Sequence, residues 1–181
     1  MRDLNRNLDP MRAAWLMTDP RGGDPIAAMR CLPPGAGVVF RHRELPPRER
    51  HALFLRVRRL ACARRLRLSA VGPMPGAVAH GGRRAATYPA HHRRQAVAGV
   101  RAGAGVLFVS PLFATRSHPG AKGIGPRRAV SITRGLAVDT VALGGMTARR
   151  WLRLRGFAGW AGIHALAGLS APARRGGGPK A

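Results

Sequence analysis

Short apolar runs recur along the chain, each closed by glycine, proline or a polar residue, and most are separated by stretches with helical spacing. Residues 13–18, AAWLMT, read as a first strand stopped by Asp19-Pro20. A short helix over 25–32 follows, with Asp24 as its N-cap and Pro33-Pro34 as its stop. In GVVFRHRE, residues 37–44, Val38, Val39 and Phe40 make a strand. Arg41 and Arg43 come two residues apart at its C-terminal end and so project to the same side. Pro46-Pro47 opens the clearest helix, 48–65, with Leu53, Val57, Leu60 and Ala61 on its core face and arginines between them.

Residues 66–71 resume as a strand and run into GPMPG at 72–76. Residues 77–80 predict another brief strand, yet no helix-length segment precedes it. A parallel pair ordinarily needs a crossover of about a dozen residues, so the architecture is expected to be compressed at this point. A strand over 85–91 ends at His91 and His92, and a helix over 93–102 is closed by Gly103. Val106, Leu107, Phe108 and Val109 form the continuous apolar run of a strand covered on both faces. It runs into a loop in which Ser110, Thr115, Arg116, Ser117, His118 and Lys122 gather among prolines and glycines. Such a loop suits a phosphate group, and an arginine- and glycine-rich surface loop is the alternative. A helix over 126–136, a strand over 140–143 entering Gly144-Gly145, a Thr147-capped helix over 148–155, a strand over 157–163 and a last short helix through 169 complete the pattern. Strands alternating with helices predict a parallel α/β fold.

Composition narrows this to one domain: 181 residues, 45% of them hydrophobic, can bury a sizeable core. No apolar run reaches membrane-spanning length and the N-terminus lacks the order of a signal peptide, so a soluble, cytoplasmic protein with no membrane partner is expected. The net charge of +25 comes from 32 cations against seven acids, and after Glu49 the only carboxylate side chain is that of Asp139. A field this positive attracts polyanions non-specifically at low salt, although arginine with abundant alanine, glycine and proline also fits biased coding. Cys31 and Cys62 form neither a metal-type pair nor a disulfide framework.

The order of motifs adds more than any one of them. TDP at 18–20, VVFRHRE at 38–44, SPLFATRSHPG at 110–120, VALGGM at 141–146 and GWAGI at 159–163 follow one another so that the chain, from 13 to 169, resembles the thiamine phosphate synthases and the related TenI-type thiazole tautomerases. The resemblance implies a single (β/α)8 TIM-type barrel, here shortened around the third and fourth strands, with an extension at 1–12, a disordered basic tail at 170–181 and a site at the C-terminal strand ends. It also implies the joining of hydroxymethylpyrimidine pyrophosphate to thiazole phosphate, with release of pyrophosphate assisted by Mg²⁺.

Residue by residue, Arg41 and Arg43 match the basic positions of the family's Q-x-R-x-K strand end, with Val39 in place of the glutamine. Thr115, Ser117 and His118 match its T-x-T-K loop, with histidine for lysine, and Ser110 opens that loop. His91 sits where the family has S-x-H, with Pro89 for the serine. His118 and His91 are thus the candidate acid–base residues. Gly144 and Gly145 suit backbone approach to the thiazole phosphate, and Ala161, Gly162 and Ile163 would supply neighbouring amides. The expected Mg²⁺ has no matching ligands: Gly72-Pro73 stands for the family's Asn-Asp, and Ala77, before Val78-Ala79-His80, for its second aspartate. Asp19 is the one carboxylate left at a strand end. A tautomerase, a non-catalytic regulatory barrel that binds a phosphorylated ligand, and a basic nucleic-acid-binding protein stand as alternatives to the synthase.

Overall fold

A computed structural model of the chain describes residues 10–115, 120, 122–163 and 166. Eight strands lie in it: β1 Ala14–Met17, β2 Gly37–Phe40, β3 Arg67–Ala70, β4 Val78–Ala79, β5 Thr87–Ala90, β6 Val106–Val109, β7 Asp139–Leu143 and β8 Gly159–Gly162. They form one all-parallel sheet in the order β4-β3-β2-β1-β8-β7-β6-β5. A single parallel bridge between His80 and Thr87 joins the two outer strands, so the sheet curls into a nearly closed barrel. The expected TIM-type architecture is what the chain adopts.

Five α-helices among the described elements cover it: α1 Pro25–Arg30, α2 Pro47–Ala63, α3 Arg93–Arg101, α4 Pro126–Thr133 and α5 Ala148–Trp151. Neither connection flanking β4 contains a helix. The compression expected before residues 77–80 is therefore real; the connection from β4 to β5 lacks a helix as well, which leaves β5 close to an edge strand. Pro89, which has no N–H to give a ladder, is tolerated in β5 for that reason.

Two packed clusters hold the barrel. Inside it, Trp15, Met17, Val39, Val71, Phe108, Val141 and Ala161 stack in layers. Trp15 meets Phe108 edge to face at 5.2 Å, and the Arg67 guanidinium covers the Trp15 ring at 4.4 Å. Gly37 makes room for that ring, since a Cβ there would lie 2.1 Å from two of its carbons. Outside, the other strand faces pack on the helices through Leu16, Val38, Phe40, Phe54, Val57, Leu107, Trp151 and Trp160. On α2 the buried face is Phe54, Val57 and Ala61; Leu53 and Leu60, expected in the core, are only partly buried because the helix is turned to seat Phe54 on Phe40. The helices α4 and α5 stop short of their expected ends at 136 and 155. After α4 the chain turns at Gly135, whose φ of 74° suits glycine.

The acid-poor composition has a structural counterpart. Arginines find carbonyl oxygens where carboxylates are scarce: Arg50 reaches the carbonyls of His42 and Val71, Arg64 that of Leu32, and Arg93 those of Ile132 and Arg134. These bonds tie loop ends and helix C-termini together without cancelling charge. Cys31 and Cys62 are free thiols. Among the described residues no helix is long and apolar enough to cross a membrane. The segments 1–9 and 170–181 and all but Leu166 of the expected last helix lie outside the described residues.

Candidate functional site

The C-terminal strand ends converge on one mouth of the barrel. At the end of β1, Thr18 is buried; its Oγ1 accepts from the Arg41 backbone N–H at 3.0 Å and bonds His42 Nδ1 at 3.0 Å. Asp19 follows with both oxygens taken by its neighbour: Oδ1 accepts from Arg21 N at 3.0 Å and Nε at 2.7 Å, and Oδ2 from Nη2 at 2.8 Å. The Arg21 guanidinium holds this carboxyl down to about 2, against the opposing effect of burial. His42 turns away from the opening to stack on Phe40, with ring centroids 5.2 Å apart, and burial lowers its proton affinity.

Arg41, half-buried, and Arg43, exposed, leave the end of β2 as expected. Unlike Arg21, Arg50 or Arg64, neither guanidinium has a hydrogen bond or ion pair with the described protein. Both nonetheless act on one group, His80 at the end of β4. Its Nδ1 lies 2.9 Å from Thr87 Oγ1, which donates to Ser69 Oγ at 3.1 Å, and both hydroxyl residues are buried inside the barrel. Its ring leans on Phe108, centroid to centroid 5.4 Å. Burial first, then Arg41 and Arg43, push His80 down from 6.5 to about 4, so it is neutral near neutral pH. Sequence reasoning passed over His80, although it ends a brief apolar strand just as Arg41 does.

The other candidates fall around the rim. His91, exposed at the end of β5, donates from Nδ1 to the Ser110 carbonyl at 2.9 Å and lies 3.2 Å from Ser110 Oγ. This joins the ends of β5 and β6. Thr115 lies in the loop after β6; Ser117 and His118, the other expected members of that loop, lie outside the described residues. Gly144 and Gly145 have φ of 96° and 60°, and a Cβ on them would come within 2.9 Å of Pro111 Cα and 2.5 Å of the Ala114 carbonyl oxygen. The close approach these glycines permit is thus made by the chain's own 111–114 loop, whose Leu112 and Phe113 N–H groups bond the carbonyls of Leu143 and Gly144 at 2.9 and 3.2 Å. Ala161 and Gly162 are buried within β8, in register with Trp15 and Leu16, which leaves Ile163 at the strand end. There it lines a narrow cleft with Thr18, Asp19 and Gly22.

The donors at this mouth do not fit Mg²⁺. Gly72-Pro73 and Ala77 hold the positions where the resemblance calls for carboxylates, and Asp19 is engaged through both oxygens by a guanidinium. Among the described residues no three of histidine, cysteine, aspartate and glutamate come together. A hard cation that needs several oxygen ligands finds none of the required set.

The histidines also make stability depend on pH. Folded His80 and His42 bind protons less readily than in the unfolded chain, so their contribution is complete above about 6.5 and is lost as pH falls toward 4. Asp19 acts only lower, between 3.8 and about 2. We expect urea stability to drop by about 2–3 kcal/mol between pH 7 and pH 4.5, and His80→Gln to flatten most of that slope; an unchanged slope would place His80 in contact with bulk solvent.

No family model matches the chain, and no curated protein matches it. Among solved structures it is similar to thiamine phosphate pyrophosphorylase from Pyrococcus furiosus, with a TM-score of 0.71 and 18% identity over 88% of this chain and 89% of that one. A structure described as native KDPGal aligns with a TM-score of 0.52 and 14% identity over 87% and 89% of the two chains. At these identities what is shared is the barrel, which hosts more than one chemistry.

Proposed function

We propose that the mouth binds phosphorylated thiazole and pyrimidine compounds, and that the chain is a thiamine phosphate synthase-like barrel of thiamine biosynthesis in the cytoplasm. The observation that carries this is the pair Arg41 and Arg43. Whereas Arg21 and Arg50 are engaged, these two guanidiniums stand uncommitted among the described residues at the end of β2, beside a neutral histidine. Planar forks of this kind hold phosphate oxygens through paired N–H donors. The likeness to the Pyrococcus furiosus barrel supports the same reading at the level of the scaffold.

Charge developing on a departing pyrophosphate is met here by arginine, because among the described residues no carboxylate set comes together to hold a metal. Purified protein mixed with hydroxymethylpyrimidine pyrophosphate and thiazole phosphate is expected to yield thiamine phosphate at a rate that chelating Mg²⁺ with EDTA lowers less than twofold. Binding of either compound by calorimetry without product would replace the synthase by the tautomerase or the non-catalytic regulatory barrel, which the missing carboxylates favour. Failure to bind either, with tight and salt-sensitive binding to any DNA, would turn the reading to a basic nucleic-acid-binding protein.

A further inference from the structure

We propose that His80 is the catalytic acid–base residue of this mouth: its Nε2 takes a proton from a phosphorylated substrate whose anionic group lies between Arg41 and Arg43, and returns it to another atom of the same molecule. The inference rests on the anion-binding reading above and goes beyond it, since neither the resemblance nor the motif pattern assigns His80 a role. It begins with the relay inside the barrel. With Thr87 Oγ1 donating to Ser69, it faces His80 as an acceptor, and Nδ1 carries the ring proton in that arrangement. That leaves Nε2 with the lone pair. No described protein group bonds Nε2, and it is not sealed from solvent.

A neutral imidazole held at Nδ1 by a hydroxyl, an uncommitted Nε2 and two guanidiniums alongside is the constellation that proton transfer on an anionic substrate requires. The step balances within the substrate. A C–H or N–H bond next to a carbonyl or imine breaks, its electron pair enters the conjugated system, and the proton moves to Nε2. The imidazolium then gives the proton to a different atom, so the net change is an isomerisation without oxidant, reductant or co-reactant. The substrate class is a phosphorylated heterocycle, ketone or imine with one acidic hydrogen.

Charge makes the device conditional on substrate. The described groups facing His80 are Arg41 and Arg43 from the end of β2, Thr87 from β5, itself bonded to Ser69 of β3, and Phe108 from β6; Asp19, following β1, is bound to Arg21. With the mouth empty, the two cations and burial oppose protonation. A phosphate between the guanidiniums offsets their charge, and the imidazolium becomes tolerable where it is needed.

Ring-nitrogen NMR of the full chain, with inorganic pyrophosphate as the probe, tests this. His80 is expected to be neutral at pH 5.5 with its proton on Nδ1, and saturating pyrophosphate to raise its proton affinity about tenfold or more. Without ligand, the double variant Arg41→Gln, Arg43→Gln raises the same midpoint. Thr87→Val keeps pyrophosphate binding within about threefold yet loses the Nδ1–H tautomer, a result that mere packing by Thr87 would not produce. A His80 that titrates like an exposed histidine, or carries its proton on Nε2, overturns the proposal. Pyrophosphate that binds but leaves the His80 midpoint unmoved overturns the role and spares the binding reading; absence of binding overturns both.

Discussion

Replacing Phe108 by alanine is expected to destabilise the barrel by about 3–5 kcal/mol. Phe108 is fully buried at the centre of the inner cluster, edge-on to Trp15 at 5.2 Å and against His80 at 5.4 Å. The strands around it cannot close the space, because the ladders on both sides of β6 fix their spacing. Losing the ring removes the transfer free energy of an aromatic side chain, leaves a cavity and abolishes two aromatic contacts. In a chain of this size the change appears as a melting temperature lower by about 10 °C or more. Urea denaturation followed by tryptophan fluorescence measures it, with Leu152→Ala on the surface, 59% exposed, as the control near zero. A loss below about 1 kcal/mol would mean that the interior is not filled as described. The same substitution opens His80 to water, so its protonation midpoint is expected to rise toward the ordinary value.

The second large effect concerns the mouth. Arg41→Gln and Arg43→Gln are each expected to weaken pyrophosphate binding about tenfold, and the pair about a hundredfold, in line with charged hydrogen bonds partly open to water. Stability should change little, because neither guanidinium bonds the rest of the described chain. Arg50→Gln makes the comparison: that side chain ties the backbone at His42 and Val71, so its loss lowers stability. Calorimetric titration with pyrophosphate at fixed salt, beside urea denaturation of each variant, separates the two kinds of arginine. Equal affinity in wild type and the double variant would remove the mouth as the anion site. Binding that falls equally for Arg41, Arg56 and Arg59 variants would point to the field of the whole surface instead.

Much of the scaffold was legible from hydrophobic pattern alone. AAWLM, GVVF, VLFV and TVAL are short apolar runs that suit a strand covered on both faces, and Asp24 and Thr147 cap α1 and α5 through their side chains as their positions suggested. The missing helix before β4 was legible too, as a distance in sequence too short for a crossover, whereas its absence after β4 was not read. On α2 Val57 and Ala61 are buried as read, whereas Phe54 takes the place expected for Leu53 and Leu60. Leu53 and Phe54 are both apolar neighbours, and only the position of Phe40 on the sheet decides which of them turns inward.

The site was less legible, for a reason of the same kind. Arg41 and Arg43 could be placed together because they are two residues apart on one strand end. His80, Thr87 and Ser69 are 7 and 18 residues apart along the chain, and their contact exists only because β4 bridges β5 and lies beside β3. Nor does composition tell an engaged arginine from a free one; Arg50 and Arg41 differ only in what the fold places within reach of their guanidiniums.

The amino-acid sequence by itself determined the order of strands and helices, the parallel α/β class they build, the excess of cations and the scarcity of carboxylates after Glu49, since each depends on local spacing or on residue type. The tertiary structure alone decided which cations are free and where the neutral histidine sits, because desolvation and hydrogen-bond geometry act between residues that only the closed barrel brings together.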